Sequence, residues 1–262
     1  MVLKIYQIDA FANKNFEGNP AAVVPLDDWI PDRIMQQIAE ENNLSETAFF
    51  TGEGDDYHIR WFTPKKEVDL CGHATLASAF VIYEILRKKT DEIKFKSLSG
   101  PLFVNKDDSL LRMNFPSQKP KRCETPKILL EAINKKPKLC YSSEDYIAIY
   151  NTENEIYQII PDFEKLKRLD LRGLIVTAPG KEYDFVSRAF FPKYGILEDP
   201  VTGSAHTQLV PYWSEIFGKT ELKARQISQR GGDIFCEYND DRVIISGSAK
   251  LYLSGEIEID SR

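Results

Sequence analysis

Histidine is scarce in this chain, with 3 among 262 residues, so a metal centre built from several imidazoles is nearly excluded. Cysteine is sparse too. Cys71, Cys123, Cys140 and Cys236 are widely scattered and form no C-x-x-C pair, which argues against a disulfide framework or a thiolate cluster. Basic charge is in deficit, with 34 Lys and Arg against 40 Asp and Glu and a formal net charge of −6. Nucleic acid needs a concentrated basic surface, and the longest cluster here, Lys119-Pro120-Lys121-Arg122, is too short to make one. No apolar run approaches the length of a membrane span. There is no glycine-rich dinucleotide loop and no P-loop, so no nucleotide cofactor is implied. The opening residues, Met1 to Tyr6, read as a strand rather than a leader, and the expected setting is the cytoplasm with reduced thiols.

What the chain does have is core material, at 42% hydrophobic residues, and a pattern written twice. Arg60-Trp61-Phe62-Thr63-Pro64 is followed by Asp69-Leu70-Cys71-Gly72-His73-Ala74. Arg188-Ala189-Phe190-Phe191-Pro192 is followed by Asp199-Pro200-Val201-Thr202-Gly203-Ser204-Ala205. Each is an R-x-F-x-P strand, a polar loop, an acid, and a glycine opening a helical stretch. The two glycines lie 131 residues apart, half the chain length, which points to an internal duplication and two similar lobes. Lobe boundaries are expected near residue 117, in the proline- and lysine-rich Pro116 to Pro126 stretch, giving lobes of 1–117 and 118–249. The alternating segment from Leu251 to Ile259, within 250–262, is expected to return as a strand and complete the first lobe.

Alternation of apolar and polar residues places strands at 3–10, 21–26, 46–51, 57–62, 92–98 and 109–115 in the first half. In the second half they fall at 146–150, 173–178, 185–191, 222–228, 234–238 and 243–246. Helices are expected at 31–41, from His73 to about Lys88, and from Ser204 to about Phe217, the last kinked at Pro211. A helix N-terminus carries unpaired N–H groups and roughly half a positive charge, and glycine lets an anion approach that backbone closely. Gly72 and Gly203 are therefore candidate anion-holding turns, with tight strand-to-helix turns as the alternative role. Facing lobes would place them on opposite walls of one cleft, a site for a small carboxylate-bearing substrate.

The candidates for chemistry are few. Glu46, at the entrance to an apolar strand, would have its pKa raised by burial toward the range for general acid–base work, or be an ordinary strand-edge acid. His73, in the first turn of its helix, sits where the dipole favours the neutral ring suited to proton shuttling, or it is a buried structural histidine. Asp199 is a second carboxylate before the second helix, and Ser204 offers a hydroxyl that serves a ligand or a cap. Cys71 at a helix start is a candidate nucleophile or base, yet Thr202 stands at the matching place in the other half. A zinc site on Cys71 and His73 lacks further ligands at usable spacing. Cys123, Cys140 and Cys236 are read as packing residues.

Asp9-Ala10-Phe11, Phe16 to Val23 (Phe-Glu-Gly-Asn-Pro-Ala-Ala-Val) and Asn43 to Phe49 resemble the start of phenazine-biosynthesis-like (PhzF-like) proteins. Arg60 to Pro64, Leu70 to Thr75, Glu198 to His206 and Gln229-Arg230-Gly231-Gly232 continue the resemblance in order over nearly the whole chain. The wording looks closest to the branch containing the mammalian MAWD-binding proteins. This resemblance implies an α+β, diaminopimelate-epimerase-like fold: two pseudo-symmetric lobes, each a rolled β-sheet or barrel around a central helix. It implies a cofactor-independent isomerase without metal, acting on a small carboxylate-bearing substrate and forming a homodimer. In the family's terms Glu46 moves the proton, His73 and Asp199 relay protons or hydrogen-bond, and Asn19 shapes the floor of the site. Gly72, Gly203 and Ser204 would hold oxyanions. The alternatives are a non-catalytic binding protein that keeps the fold, and a Cys71-dependent racemase or epimerase.

Overall fold

A computed structural model describes residues 1–260, and the chain divides into two compact units. One comprises Met1–Asn114 with the segment from Ser246 onward, and the other Phe115–Ile245. In the first unit the strand Val2–Ala10 lies antiparallel to Ala249–Glu258 on one side and to Asn19–Pro25 on the other. Asn19–Pro25 then pairs parallel with Thr47–Glu53, which pairs antiparallel with Asp56–Phe62. Asp56–Phe62 pairs parallel with Glu92–Ser97, and Gly100–Asp107 and Leu110–Pro116 follow antiparallel.

The second unit repeats this order of pairings. Leu139–Ser142 is antiparallel to Tyr146–Ile149, which is parallel to Leu174–Pro179. Leu174–Pro179 is antiparallel to Phe185–Phe191, which is parallel to Glu221–Gln226, itself antiparallel to Gly232–Asn239. A parallel partner requires a crossover, and in both units the second crossover carries the glycine-opened helix, Gly72–Phe80 or Gly203–Phe217. The repeated R-x-F-x-P wording has a physical basis. Arg60 grips Glu67 with two guanidinium nitrogens at 2.7 Å each, and Arg188 grips Glu198 at 2.7 and 2.9 Å. Each guanidinium also stacks on the phenylalanine two residues on, 5.2 Å from the Phe62 ring and 5.0 Å from Phe190. The bidentate clamp fixes the hairpin that delivers the chain to each glycine-opened helix.

The central strands are buried on both faces, which is why they read as continuous apolar runs. Ala22, Val24 and Phe49 pack on Met35, Ile38 and Ala39 of the helix Asp32–Asn42. By alternation Ala21 and Val23 turn to the other face, and the Gly72–Phe80 helix packs against their strand. In the second unit Ala148, Val176 and Phe190 pack on Leu129, Ile156 and Leu166, residues of short helices at 127–132, 153–157 and 163–166. On the opposite face Trp213 of the long helix donates its indole N–H to Thr177 Oγ1 at 3.0 Å.

The helix expected to run to Lys88 is α-helical only over Gly72–Phe80 and widens into a π turn at Val81–Ile85. It stops there because Arg87 takes a left-handed conformation, φ +53°. The helix from Gly203 continues through Pro211 to Phe217 and ends on Gly218 at φ +64°. Cys140 and Cys236 are buried and Cys123 packs against the second unit's core, as read from the sequence. Among the described residues no helix is long and apolar enough to cross a membrane.

Candidate active site

Glu46, His73 and Asn19 come together in the first unit, from three separate stretches of chain. Glu46 is aimed by the turn that joins the helix Asp32–Asn42 to the strand starting at Thr47. Asn43 ends that helix in the left-handed region, φ 48°, and its N–H donates to Ala39 C=O. Asn42 Nδ2 donates to Thr47 Oγ1 at 3.1 Å, and the Glu46 carbonyl accepts from Ala22 N–H at 3.3 Å. Asparagine tolerates left-handed backbone and bonds locally, so the Asn42-Asn43 pair is suited to this turn. Glu46 is thereby held largely buried, its side chain 12% exposed, with Oε2 3.3 Å from His73 Nε2.

His73 is the second residue of its helix and is itself buried. Its Nδ1 lies 3.3 Å from Asn19 Nδ2 and 3.5 Å from Cys71 Sγ. An amide nitrogen only donates, so Nδ1 accepts and the single ring proton belongs on Nε2, facing Glu46. Burial pushes the imidazole pKa down to about 3, which keeps the ring neutral at physiological pH. The outcome is a neutral ring whose Nε2 lies beside a carboxylate oxygen, with the ring orientation held from the Nδ1 side.

Asn19 is fully buried and opens the strand Asn19–Pro25, opposite Ala10. The preceding Gly18 has φ +71°, and a Cβ built on it would fall 2.1 Å from the Ala10 carbonyl oxygen. Gly18→Ala is accordingly expected to cost at least about 2 kcal/mol, combining left-handed strain with a backbone clash. Urea unfolding measures it, and an unchanged midpoint would show that the turn relaxes freely.

The second unit holds Asp199, Gly203 and Ser204. Asp199 is buried at the end of the strand Ile196–Asp199, and its Oδ2 accepts from Thr202 Oγ1 at 2.5 Å. Gln226, fully buried and not singled out by sequence reasoning, clamps this turn. It accepts from Thr202 N–H at 2.9 Å and donates to the Asp199 carbonyl at 2.7 Å and to Thr202 Oγ1 at 3.2 Å. Its signal in the sequence was faint: one amide at the inward end of an alternating strand. Thr202 is the N-cap of the second helix as Cys71 is of the first, with similar backbone angles of −117°/102° and −145°/106°. Neither side chain makes a capping bond, so the N–H groups of both first turns are left to other acceptors. In front of Gly203 a Cβ would meet nothing within 4 Å, so its small size serves no packing need within the chain. Ser204 follows it, half-buried, with its carbonyl accepting from Thr207 Oγ1.

His206 in the same helix donates Nδ1–H to the Thr202 carbonyl at 2.8 Å and is fully buried. Burial lowers its pKa to about 4, against an ordinary 6.5. The unfolded chain therefore binds the proton first as pH falls. Stability is complete above about pH 6.5 and declines by roughly 1 kcal/mol per unit toward pH 4 from this residue alone. The urea midpoint is expected to drop between pH 7 and 5, and to drop less in His206→Gln; equal slopes would remove the histidine from the account.

Three comparisons bear on this arrangement. A family model described as "Phenazine biosynthesis-like protein" matches residues 8–255. An uncharacterized isomerase of Pseudomonas aeruginosa is 49% identical over 259 residues, covering 99% of this chain and 100% of its own length. A phenazine biosynthesis-like domain-containing protein of Bos taurus is 38% identical, with 98% of this chain and 99% of that protein covered. Among solved structures, a phenazine biosynthesis protein of the PhzF family from Enterococcus faecalis superposes with a TM-score of 0.96 at 48% identity, covering 99% of this chain and 100% of that one.

Proposed function

Because the chain belongs to the phenazine biosynthesis-like protein family and has its α+β, diaminopimelate-epimerase-like fold, we propose that it is a cofactor-independent isomerase whose proton carrier is Glu46. The observation that carries this reading is the buried Glu46–His73 pair at 3.3 Å, with the imidazole ring fixed by Asn19. Relatives named isomerases support the reaction class.

In the reaction so assigned, the ionised Glu46 carboxylate removes a proton from a carbon next to an electron-withdrawing group. The electron pair left behind spreads into the adjacent carboxylate or double bond. The protonated Glu46 then returns the proton at a different carbon, which moves a double bond and leaves the enzyme unchanged. The neutral His73 holds its Nε2–H beside Glu46 and is free to hydrogen-bond the substrate. A neutral ring suits this role, because an imidazolium would pin the carboxylate in its ionised form. Gly72 in the first unit, and Gly203 with Ser204 in the second, are assigned to substrate oxyanions through their helix N-termini. Asp199, oriented by Thr202 and Gln226, is assigned as a second proton-handling or hydrogen-bonding group. Asn19 keeps His73 in register. The reading takes the protein as a cytoplasmic homodimer acting on a small carboxylate, though the chemistry of Glu46 requires neither location nor dimer.

Incubating the protein in D2O with a pool of small unsaturated carboxylic acids tests the proposal. Mass spectrometry is expected to find deuterium gained by one compound or a few. No exchange across a broad pool, with the protein folded, would leave a binding protein as the better reading.

A further inference from the structure

We infer that Glu46, Cys71 and His73 form a binding site for one thiophilic divalent cation such as Zn2+ or Co2+. Cys71 and His73 alone fall short of a metal site, and the fold supplies the third ligand from 25 residues upstream. One ligand atom from each of the three residues lies within 4.8 Å of the other two. In a tetrahedral site with bonds of about 2.0–2.3 Å, neighbouring ligand atoms stand roughly 3.3–3.8 Å apart. The Glu46–His73 edge is already 3.3 Å, and Cys71 Sγ lies 3.5 Å from the other ring nitrogen. Those two contacts use different ring nitrogens, so the closure is set by the 4.8 Å limit on the ligand atoms, from which a tetrahedral edge is reached by side-chain movement of about 1 Å.

The chemistry of the set is selective. Thiolate, imidazole and carboxylate together match the borderline-soft cations, whereas Mg2+ and Ca2+ take oxygen ligands. Two anionic ligands cancel the +2 charge, which matters because the helix N-terminus here disfavours an uncompensated cation. Cys71 and His73 are buried and the Glu46 side chain is only 12% exposed, so the ion would be largely shielded from competing water. An ion on Nε2 moves the ring proton to Nδ1, so Asn19, whose amide nitrogen now faces Nδ1 at 3.3 Å, must turn its amide to offer the carbonyl oxygen as the outer partner that orients a ligating imidazole. With three protein ligands, a fourth position stays open to water or to a substrate oxygen.

The consequence for turnover rests on the function proposed above. An ion held by Glu46 removes the carboxylate from proton transfer, so the cation is a reversible inhibitor rather than a cofactor. Binding and inhibition have separate readouts, which keeps the two ideas apart.

The test is a Co2+ titration of the full-length, chelator-treated, reduced protein. It is done in a Cys123→Ser/Cys140→Ser background, because those two sulfurs lie 3.6 Å apart and offer a competing thiol pair. The expected result is one equivalent of Co2+ per chain with a thiolate-to-cobalt charge-transfer band in the near ultraviolet, lost on adding Zn2+. The band should vanish in Cys71→Ser and in Cys71→Thr, the latter carrying the side chain that the matching N-cap of the second unit already has. Glu46→Gln should weaken Co2+ binding at least about tenfold. Absence of the band, or a band that survives either Cys71 substitution, overturns the site. A band that forms as described while Zn2+ leaves D2O exchange untouched upholds the site and counts instead against Glu46 as the proton carrier.

Discussion

Glu46→Gln is expected to slow proton exchange at the substrate carbon by about two to four orders of magnitude, the range over which a positioned general base contributes. Glutamine keeps the length and nearly the volume of glutamate, and its amide still meets His73 Nε2. The local turn is held by Asn42, Asn43 and backbone bonds rather than by the carboxylate. The fold should therefore survive while the proton acceptor is gone. Glu46→Asp provides the complementary measurement. It keeps the base but withdraws it by one methylene, and a misplacement of about 1 Å costs on the order of a hundredfold. The aspartate variant should thus sit between wild type and glutamine. Cys71→Ala separates this reading from the thiol-dependent racemase. Loss of the Sγ beside His73 Nδ1 should leave exchange within about tenfold of wild type, because Asn19 still orients the ring. If Cys71→Ala is as damaging as Glu46→Gln, the thiol is a base and the racemase takes precedence.

The duplication was legible because it is carried by residues with strong local demands. An arginine that clamps a glutamate across a hairpin and stacks on a nearby phenylalanine leaves little room for substitution, so Arg60-x-Phe62 and Arg188-x-Phe190 survived as readable repeats. Strands buried on one or both faces also announced themselves. What escaped was short or exposed. Gly100–Asp107 is exposed or half-buried everywhere but Val104 and carries glycine and proline at its start, so little marked it as a strand. Lys121–Cys123 and Leu139–Ser142 are too brief to show a period, and the helices at 127–132, 153–157 and 163–166 are each six residues or fewer. The π turn at Val81–Ile85 lies in an apolar run broken only by Glu84, where side-chain pattern does not distinguish helical pitches.

The candidate site was legible to different depths for a related reason. His73 sits beside a motif glycine on its own helix, so local physics pointed to it. Glu46 is 27 residues away in sequence, and only tertiary structure brings its carboxylate to 3.3 Å from the ring. Its local sequence is that of an ordinary strand-edge acid, and the resemblance rather than residue physics singled it out. Asn19 and Gln226 lie deeper still. Each is a lone amide at the end of a strand, and its importance consists wholly of the partners that the fold places around it. Polar networks of this type are dictated by three-dimensional pairing and leave no periodic trace.

Arg172→Met is expected to be the most destabilising single substitution in the second unit among those considered, at about 3 kcal/mol or somewhat more, because it leaves a buried charge without its partner. The Asp145 side chain is fully inaccessible. It receives Arg172 Nε on Oδ1 at 2.9 Å and Arg172 Nη2 on Oδ2 at 2.5 Å, while Gln208 Nε2 donates to Oδ2 at 2.7 Å. Gln208 in turn accepts from Asp145 N–H at 3.2 Å and lies on the helix opened by Gly203. Removing the guanidinium forces Asp145 either to stay ionised in an apolar setting or to take up a proton, and both cost stability. Arg172 is itself partly exposed, which places the effect at the lower end of the range for broken buried pairs. Methionine preserves contact with the Phe191 ring, over which the guanidinium now lies at 4.9 Å, so lost packing is a small part of the cost. Charge rather than shape is the cause, and a second substitution shows it. Asp145→Asn in the Arg172→Met background removes the charge yet keeps an oxygen for Gln208, and should recover more than half of the lost stability. Urea unfolding monitored through Trp213, with Trp29 and Trp61 changed to Phe in all variants, reads the second unit specifically. No recovery in the double variant would mean that Arg172 acts through packing. Recovery would show that this ion pair anchors the helix whose N-terminus carries Gly203 and Ser204.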